Sequence, residues 1–213
     1  MKQFDSVDEV VALYVLWGSD NYSEQISQQS HAVQCAWLAQ AYGASEELVA
    51  AALLHDVGHL IDLAENGSRR EAFELDLKHE ALGAQALSKL FPPAVTAPVA
   101  LHVEAKRWRC AVDTNYHETL SPASAASLAL QGGPMDEAER LRFESHPQWR
   151  AATQLREWDD TGKNTDAVDP PFEQFVPLLR RVALREPSLL PPQLPADART
   201  TLRAVSASVK QGL

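Results

Sequence analysis

A chain of 213 residues, 45% hydrophobic and 23% charged, is long enough to close one well-buried core and short for two. Its formal net charge of −10 argues against nucleic acid as the main partner, because a phosphate backbone asks for a basic face. A locally positive pocket for a small anion is compatible with that balance.

The first apolar stretch, MKQFDSVDEVVALYVLWGSD, carries acids among its apolar residues and reads as no signal peptide. No run of 18 apolar residues suggests a membrane span, and Cys35 and Cys110 form neither a zinc pattern nor a disulfide framework. A cytoplasmic location is the expectation.

In chain order, helical periodicity covers Val7–Trp17 and gives way to a polar loop, GSDNYSEQISQQS. A helix from Gln28 to Tyr42 stops at Gly43, placed as a C′ residue. Ser45, with Glu46 and Glu47 behind it, opens a helix whose apolar run LVAAALL ends at HDVGH. The segment LAENGSRREAFELDL reads as an exposed excursion before a helix beginning near His79. Pro92, Pro93 and Pro98 are expected to separate that helix from one carrying His102 and Lys106. After a loop over Asp113–Leu120, Ser121 caps a short helix ending at Gln131-Gly132-Gly133-Pro134. Helices over Asp136–Glu144, Pro147–Asp159 and Phe172–Leu184 follow, then a proline-rich tail with a weak helix near Asp197–Lys210. No β-alternation persists. The expected fold class is all-α: one helical bundle over residues 1–184, with a C-terminal extension over 185–213.

Seven histidines are present, and their neighbours carry the interest. His55-Asp56 closes an apolar helix, so imidazole and carboxylate leave one turn together, a pairing that suits first-row metals of intermediate hardness such as iron and manganese. A carboxylate has two oxygens and can bridge two ions. His31, His79, His102 and Asp159 stand on other predicted helices, the arrangement by which a bundle builds a dinuclear site. His117 and His146 lie in loop-like surroundings and read as ordinary surface residues.

The order His31, His55-Asp56, His79, His102, Asp159 resembles the H…HD…H…H…D signature of the HD-domain superfamily. The segments AALLHDVGH, HVEAKRW, LSPASAASL, LQGGPMDEAER and REWDDTGKNTD, spread over Tyr22 to Asp166, resemble one branch of it. That branch holds the di-iron oxygenases that break the carbon–phosphorus bond of hydroxylated aminoethylphosphonates.

The resemblance implies a mixed-valent Fe(II)/Fe(III) pair, with His31, His55, Asp56 and Asp159 on one ion and Asp56, His79 and His102 on the other. Asp159 is preferred to Asp160 because it stands four residues before Lys163, and Asp160 is expected to be a solvated helix-end acid. His59 implies a substrate contact. Lys106, one turn after His102, with Ser124, Ser127 and Arg156, implies a phosphonate cradle. Tyr22 and Glu24 resemble a loop in which a tyrosine closes the vacant metal position and a glutamate meets the substrate amine. The family spaces them Tyr-x-x-Glu, whereas this chain has Tyr22-Ser23-Glu24.

The implied activity is cleavage of a 1-hydroxy-2-(amino or N-methylated amino)ethylphosphonate by O2, giving phosphate and glycine or an N-methylated glycine such as glycine betaine. Two other readings share the ligands: a metal-dependent phosphohydrolase, and a degenerate domain that only binds.

Overall fold

The computed structural model describes residues 3–21, 25–66 and 78–184. Tyr22 and Glu24, the excursion over residues 67–77 and the extension over 185–213 lie outside the described residues.

Eleven α-helices follow one another along the described chain. The first, α1 (Val7–Trp17), is capped by Ser6, whose side chain accepts from the Glu9 amide. Next, α2 (Gln28–Ala41) ends through Tyr42 at Gly43, where φ of +73° places the left-handed residue expected there. The helix α3 (Glu46–Leu54) starts where Ser45 accepts from the Leu48 amide, and every residue from Leu48 to Leu54 is buried. It packs against α2, α6 (Pro93–Val112) and α10 (Trp149–Thr161), so the wholly apolar run forms the middle of the bundle.

The remaining helices are α4 (Val57–Asn66), α5 (His79–Leu87), α7 (Tyr116–Thr119), α8 (Pro122–Leu130), α9 (Glu137–Ser145) and α11 (Val176–Val182). A 3₁₀ turn, Phe172–Phe175, leads into α11 and buries both phenylalanines.

Three local expectations change. The helix does not finish at HDVGH: the chain breaks at His55-Asp56 and resumes as α4, so residues 63–66 are helical and not part of an excursion. Pro98 lies buried inside α6, while Pro93 starts that helix, where a missing amide proton leaves no bond unmade. The Asp113–Leu120 loop contains α7, which buries Tyr116.

Among the described residues, no helix is long and apolar enough to cross a membrane. A smaller core of Ala105, Met135, Phe143 and Ala152, with Trp108 and Trp149 against it, joins α6, α9 and α10 at one side of the bundle.

Candidate metal centre

The break between α3 and α4 places Asp56 at the meeting point of four helices. One carboxylate oxygen, Oδ2, lies 3.7 Å from Nε2 of His31 on α2 and 3.5 Å from Nε2 of His55. The other, Oδ1, lies 3.5 Å from Nε2 of His79 on α5 and 3.6 Å from Nε2 of His102 on α6. Asp159 of α10 closes the first side, with Oδ1 3.2 Å from His31 Nε2 and 3.8 Å from His55 Nε2. Six residues are thus brought together, and one carboxylate faces two separate histidine pairs.

Close helix approach makes this possible. A Cβ on Gly58 would stand 2.0 Å from the carbonyl oxygen of His79, so only glycine lets α5 reach Asp56. Gly162 plays the same part at the end of α10. A Cβ there would meet Cys35 Sγ at 2.8 Å, and the Gly162 carbonyl accepts a 2.8 Å hydrogen bond from His31 Nδ1.

The rings are oriented from behind. Nδ1 of His55 donates to the Ala52 carbonyl and Nδ1 of His102 to the Val99 carbonyl, each at 2.8 Å. A ring nitrogen bonded to a carbonyl must carry the proton, so Nε2 is the atom through which His31, His55 and His102 face the centre. The His55 Nε2 atom is buried with no hydrogen-bond partner. Such a polar atom is expensive in a dry interior unless something binds it.

Charge follows the geometry. Burial disfavours charge on His55, Asp56, His79, His102 and Asp159, and neighbours then divide them. Burial and the adjacent His55 bring His102 down to about 4, and burial with His59 lowers His79 well below its ordinary value. On His55, burial is outweighed by Asp56 and Asp159, which raise it to about 9. Asp56 resists burial through His55, His59 and His79 and is held below the usual carboxylate range. Asp159 does so chiefly through Arg156 and Lys163. The set therefore presents two ionised carboxylates among imidazoles, a net attraction for a cation.

Cys35 shares a ligand-sized cluster with His31 and His55. Burial raises its thiol, which donates to the Trp158 carbonyl at 3.4 Å, and the occupied Nδ1 of His31 stands 3.7 Å from it. A thiol so placed is a packing group. His59, on the first turn of α4, stacks on His79 with ring centroids 4.0 Å apart and shares a ligand-sized cluster with Asp56 and His79.

Beside the centre, Lys106 Nζ donates to Ser127 Oγ at 2.8 Å and to the Ser124 carbonyl at 3.4 Å. Lysine 163 joins them, its Nζ 3.4 Å from Ser124 Oγ and 3.8 Å from Asp159 Oδ1. Two ammonium groups and two hydroxyls thus converge, and sequence reasoning used Lys163 only as a spacing marker.

Arg156 does not share that orientation. Its NH1 donates to Asp159 Oδ2 at 2.6 Å, its Nε to the Tyr116 hydroxyl at 3.0 Å, and its NH2 to Asp160 Oδ1. All three nitrogens meet protein acceptors. Asp160 is likewise no solvated acid. It accepts from Arg156, from the Tyr116 hydroxyl at 2.6 Å and from Arg109 at 3.4 Å. His117 is exposed on α7, and His146 Nδ1 accepts from the Gln148 amide.

A bundle with an HD pair at the centre of a His/Asp metal site is what the HD domain builds, and the HD domain matches residues 29–145. The chain belongs to the HD-domain family. Within it, the chain is 40% identical over 171 residues to a hydroxymethylphosphonate dioxygenase of Gimesia maris, covering 79% of this chain and 85% of that protein. It is 38% identical over 166 residues to the [1-hydroxy-2-(trimethylamino)ethyl]phosphonate dioxygenase (glycine-betaine-forming) of Leisingera caerulea, covering 78% and 84%. It is also 29% identical to an uncharacterised protein of Acanthamoeba polyphaga mimivirus over 172 residues.

Proposed function

We propose that this chain is an iron-dependent dioxygenase that breaks the carbon–phosphorus bond of a 1-hydroxyalkylphosphonate with O2. The observation that carries the reading is Asp56, whose two oxygens face two different histidine pairs beside the Lys106–Ser127 pair.

In this reading His31, His55, Asp56 and Asp159 hold one iron, and Asp56, His79 and His102 hold the other. The fit rests on the orphaned, buried His55 Nε2 and on a set of nitrogen and oxygen donors without thiolate, which suits iron. The pair works as mixed-valent Fe(II)/Fe(III). When bound, it supplies the redox chemistry with O2 that no side chain of this set possesses.

The chain's own residues bind, orient and exclude water. Lys106 and Lys163 give the phosphonate its countercharge, with Ser124 and Ser127 as hydroxyl partners. His59 stands beside Asp56 and His79, where it reaches the hydroxyl on C1. Tyr22 and Glu24 complete the reading as metal cap and amine contact, outside the described residues. Atoms balance when both oxygens of O2 enter products: phosphate leaves, and C1 becomes a carboxylic acid.

The two named relatives share a hydroxyl on the phosphonate-bearing carbon and differ in what is attached beyond it. The shared hydroxyl defines the class, and the resemblance of Glu24 to an amine contact leads us to place 1-hydroxy-2-aminoethylphosphonates, with a free or N-methylated amine, first among candidate substrates. They give glycine or an N-methylated glycine such as glycine betaine. The test is phosphate release in air from hydroxymethylphosphonate and from the amino and trimethylamino compounds, repeated without oxygen. O2-dependent release from at least one of them is expected. Release that continues without oxygen refutes the dioxygenase and points to the phosphohydrolase.

A further inference from the structure

The helix that carries Ser124 and Ser127 has little to hold it. Of its nine residues, α8 buries only Ser124 and Leu128, so apolar packing fixes it weakly compared with α3. Its first turn is closed by a local bond, the Ser124 amide donating to Ser121 Oγ.

Its other end is tied to α6. The turn after α8 runs through Gly132 and Gly133, at φ of +96° and +72°. The Gly133 carbonyl accepts a 2.8 Å hydrogen bond from Nε of Arg107. NH2 of the same guanidinium meets both carboxylate oxygens of Glu139 at 2.8 Å, and the Arg107 carbonyl accepts from the Met135 amide at 3.2 Å. A Cβ on Gly132 would stand 3.3 Å from Arg107 NH2, so the turn lies directly against the fork. Glu139 is itself fixed by a capping box with Asp136 at the start of α9.

Arg107 is the residue after Lys106. One short stretch of α6 thus presents an ammonium to the serines on one side and a guanidinium to the end of their helix on the other. We propose that Arg107 and Glu139 form a latch that sets α8 in place, making Arg107 a positioning residue for the anion cradle. This rests on reading Lys106, Ser124 and Ser127 as that cradle. It gives work to the arginine of HVEAKRW and to LQGGPMDEAER, which neither the metal centre nor the cradle uses. Arginine is needed because its fork serves a carbonyl and a carboxylate at once, which a lysine point charge does not.

The test uses full-length, iron-loaded protein without oxygen and methylphosphonate as the probe, a phosphonate lacking the C1 hydroxyl. Arg107→Ala should speed amide exchange in α8 by roughly tenfold or more while α2, α3 and α10 keep their rates. Its Kd for methylphosphonate should rise roughly tenfold, the scale of one hydrogen bond to a charged group, with iron content unchanged. Arg107→Lys should fall between the two. In a Ser124→Ala/Ser127→Ala background the further effect of Arg107→Ala on Kd should shrink below about twofold, as expected when two sites act through one contact. Unchanged α8 exchange, or an undiminished loss in that background, overturns the latch. Lys106→Ala separates the two failures. A normal Kd there removes the cradle and the latch's purpose with it, whereas a raised Kd there beside a normal one in Arg107→Ala overturns the latch alone.

Discussion

Nε2 of His79 lies 3.1 Å from Nε2 of His102, nitrogen facing nitrogen. Because His102 Nδ1 donates to the Val99 carbonyl, its Nε2 offers a lone pair. The atom opposite must either carry a proton or share a cation with it. Burial keeps both rings uncharged at neutral pH, so a metal here would be held by two neutral nitrogens and by Asp56 Oδ1, which lies 3.5 Å from one nitrogen and 3.6 Å from the other. The proton displaced from His79 Nε2 can move to Nδ1, which faces Glu80 Oε2 at 3.6 Å.

His102→Leu should therefore lower iron from two ions per chain to one and spare the His31–His55–Asp159 side. The metal-free variant should melt below metal-free wild type, since His79 Nε2 and the Val99 carbonyl both lose their buried partner. Elemental analysis and a thermal melt test this. Loss of both irons would mean that the two histidine groups are not separate sites.

Asp56→Ala should empty both sites together, because one carboxylate serves both histidine pairs. Partly oxidised wild type should give a coupled Fe(II)/Fe(III) paramagnetic signal that the variant lacks. His117→Ala, an exposed change on α7, should keep iron and turnover. The reverse pattern, iron lost from His117→Ala and kept in Asp56→Ala, would replace the ligand set.

Lys106 should impose a pH limit on binding. Burial first, and then the neighbouring Arg156 charge, lowers it from 10.5 to about 8. The ammonium form attracts the phosphonate, so binding is complete below that value and weakens as pH rises through it. kcat/KM should fall above about pH 8 by up to tenfold per unit, while the break in kcat moves higher because a bound anion favours the charged lysine. Lys106→Arg should abolish the break, because guanidinium stays charged throughout. A break of the same pKa in Lys106→Arg assigns it to another group.

The sequence carried the helices and the metal cluster because both are local or ordered signals. Ser45 and Gly43 mark helix ends through backbone chemistry, and HDVGH joins two ligands in one turn. Contacts between distant helices were not legible in the same way. Tyr116 lies 40 residues from Arg156, and nothing in REWDD announces that its arginine and second aspartate meet that hydroxyl. Spacing put Arg156 on the same side as Asp159 but could not say which partner its guanidinium chooses. Pro98 was misleading for a related reason, since a helix interior tolerates proline where packing on the core outweighs the lost bond.

Arg156 supplies the sharpest contrast with Lys106. It is buried, and its NH1 holds Asp159 Oδ2 at 2.6 Å while Oδ1 of that carboxylate faces His31 and His55. Removing the guanidinium leaves Asp159 and Asp160 as neighbouring acids without their shared counter-ion. Breaking one partner from a buried pair costs roughly 3–5 kcal/mol, because the remaining charge is stranded. Arg156→Ala should therefore lower the melting temperature by several degrees and weaken iron retention against a chelator. Lys106→Ala should keep both and raise KM, with a loss on the order of 2–5 kcal/mol in substrate binding. Arg156→Lys should recover only part of the stability, since one ammonium cannot reach Asp159, Asp160 and the Tyr116 hydroxyl together. Tyr116→Phe, which removes one acceptor and keeps the ring under Arg109, should show a weaker form of the same iron loss. If Arg156→Ala holds iron and melts like wild type but loses substrate affinity as Lys106→Ala does, the guanidinium turns to the phosphonate when substrate arrives. Its contacts to the two aspartates would then belong to the empty pocket alone.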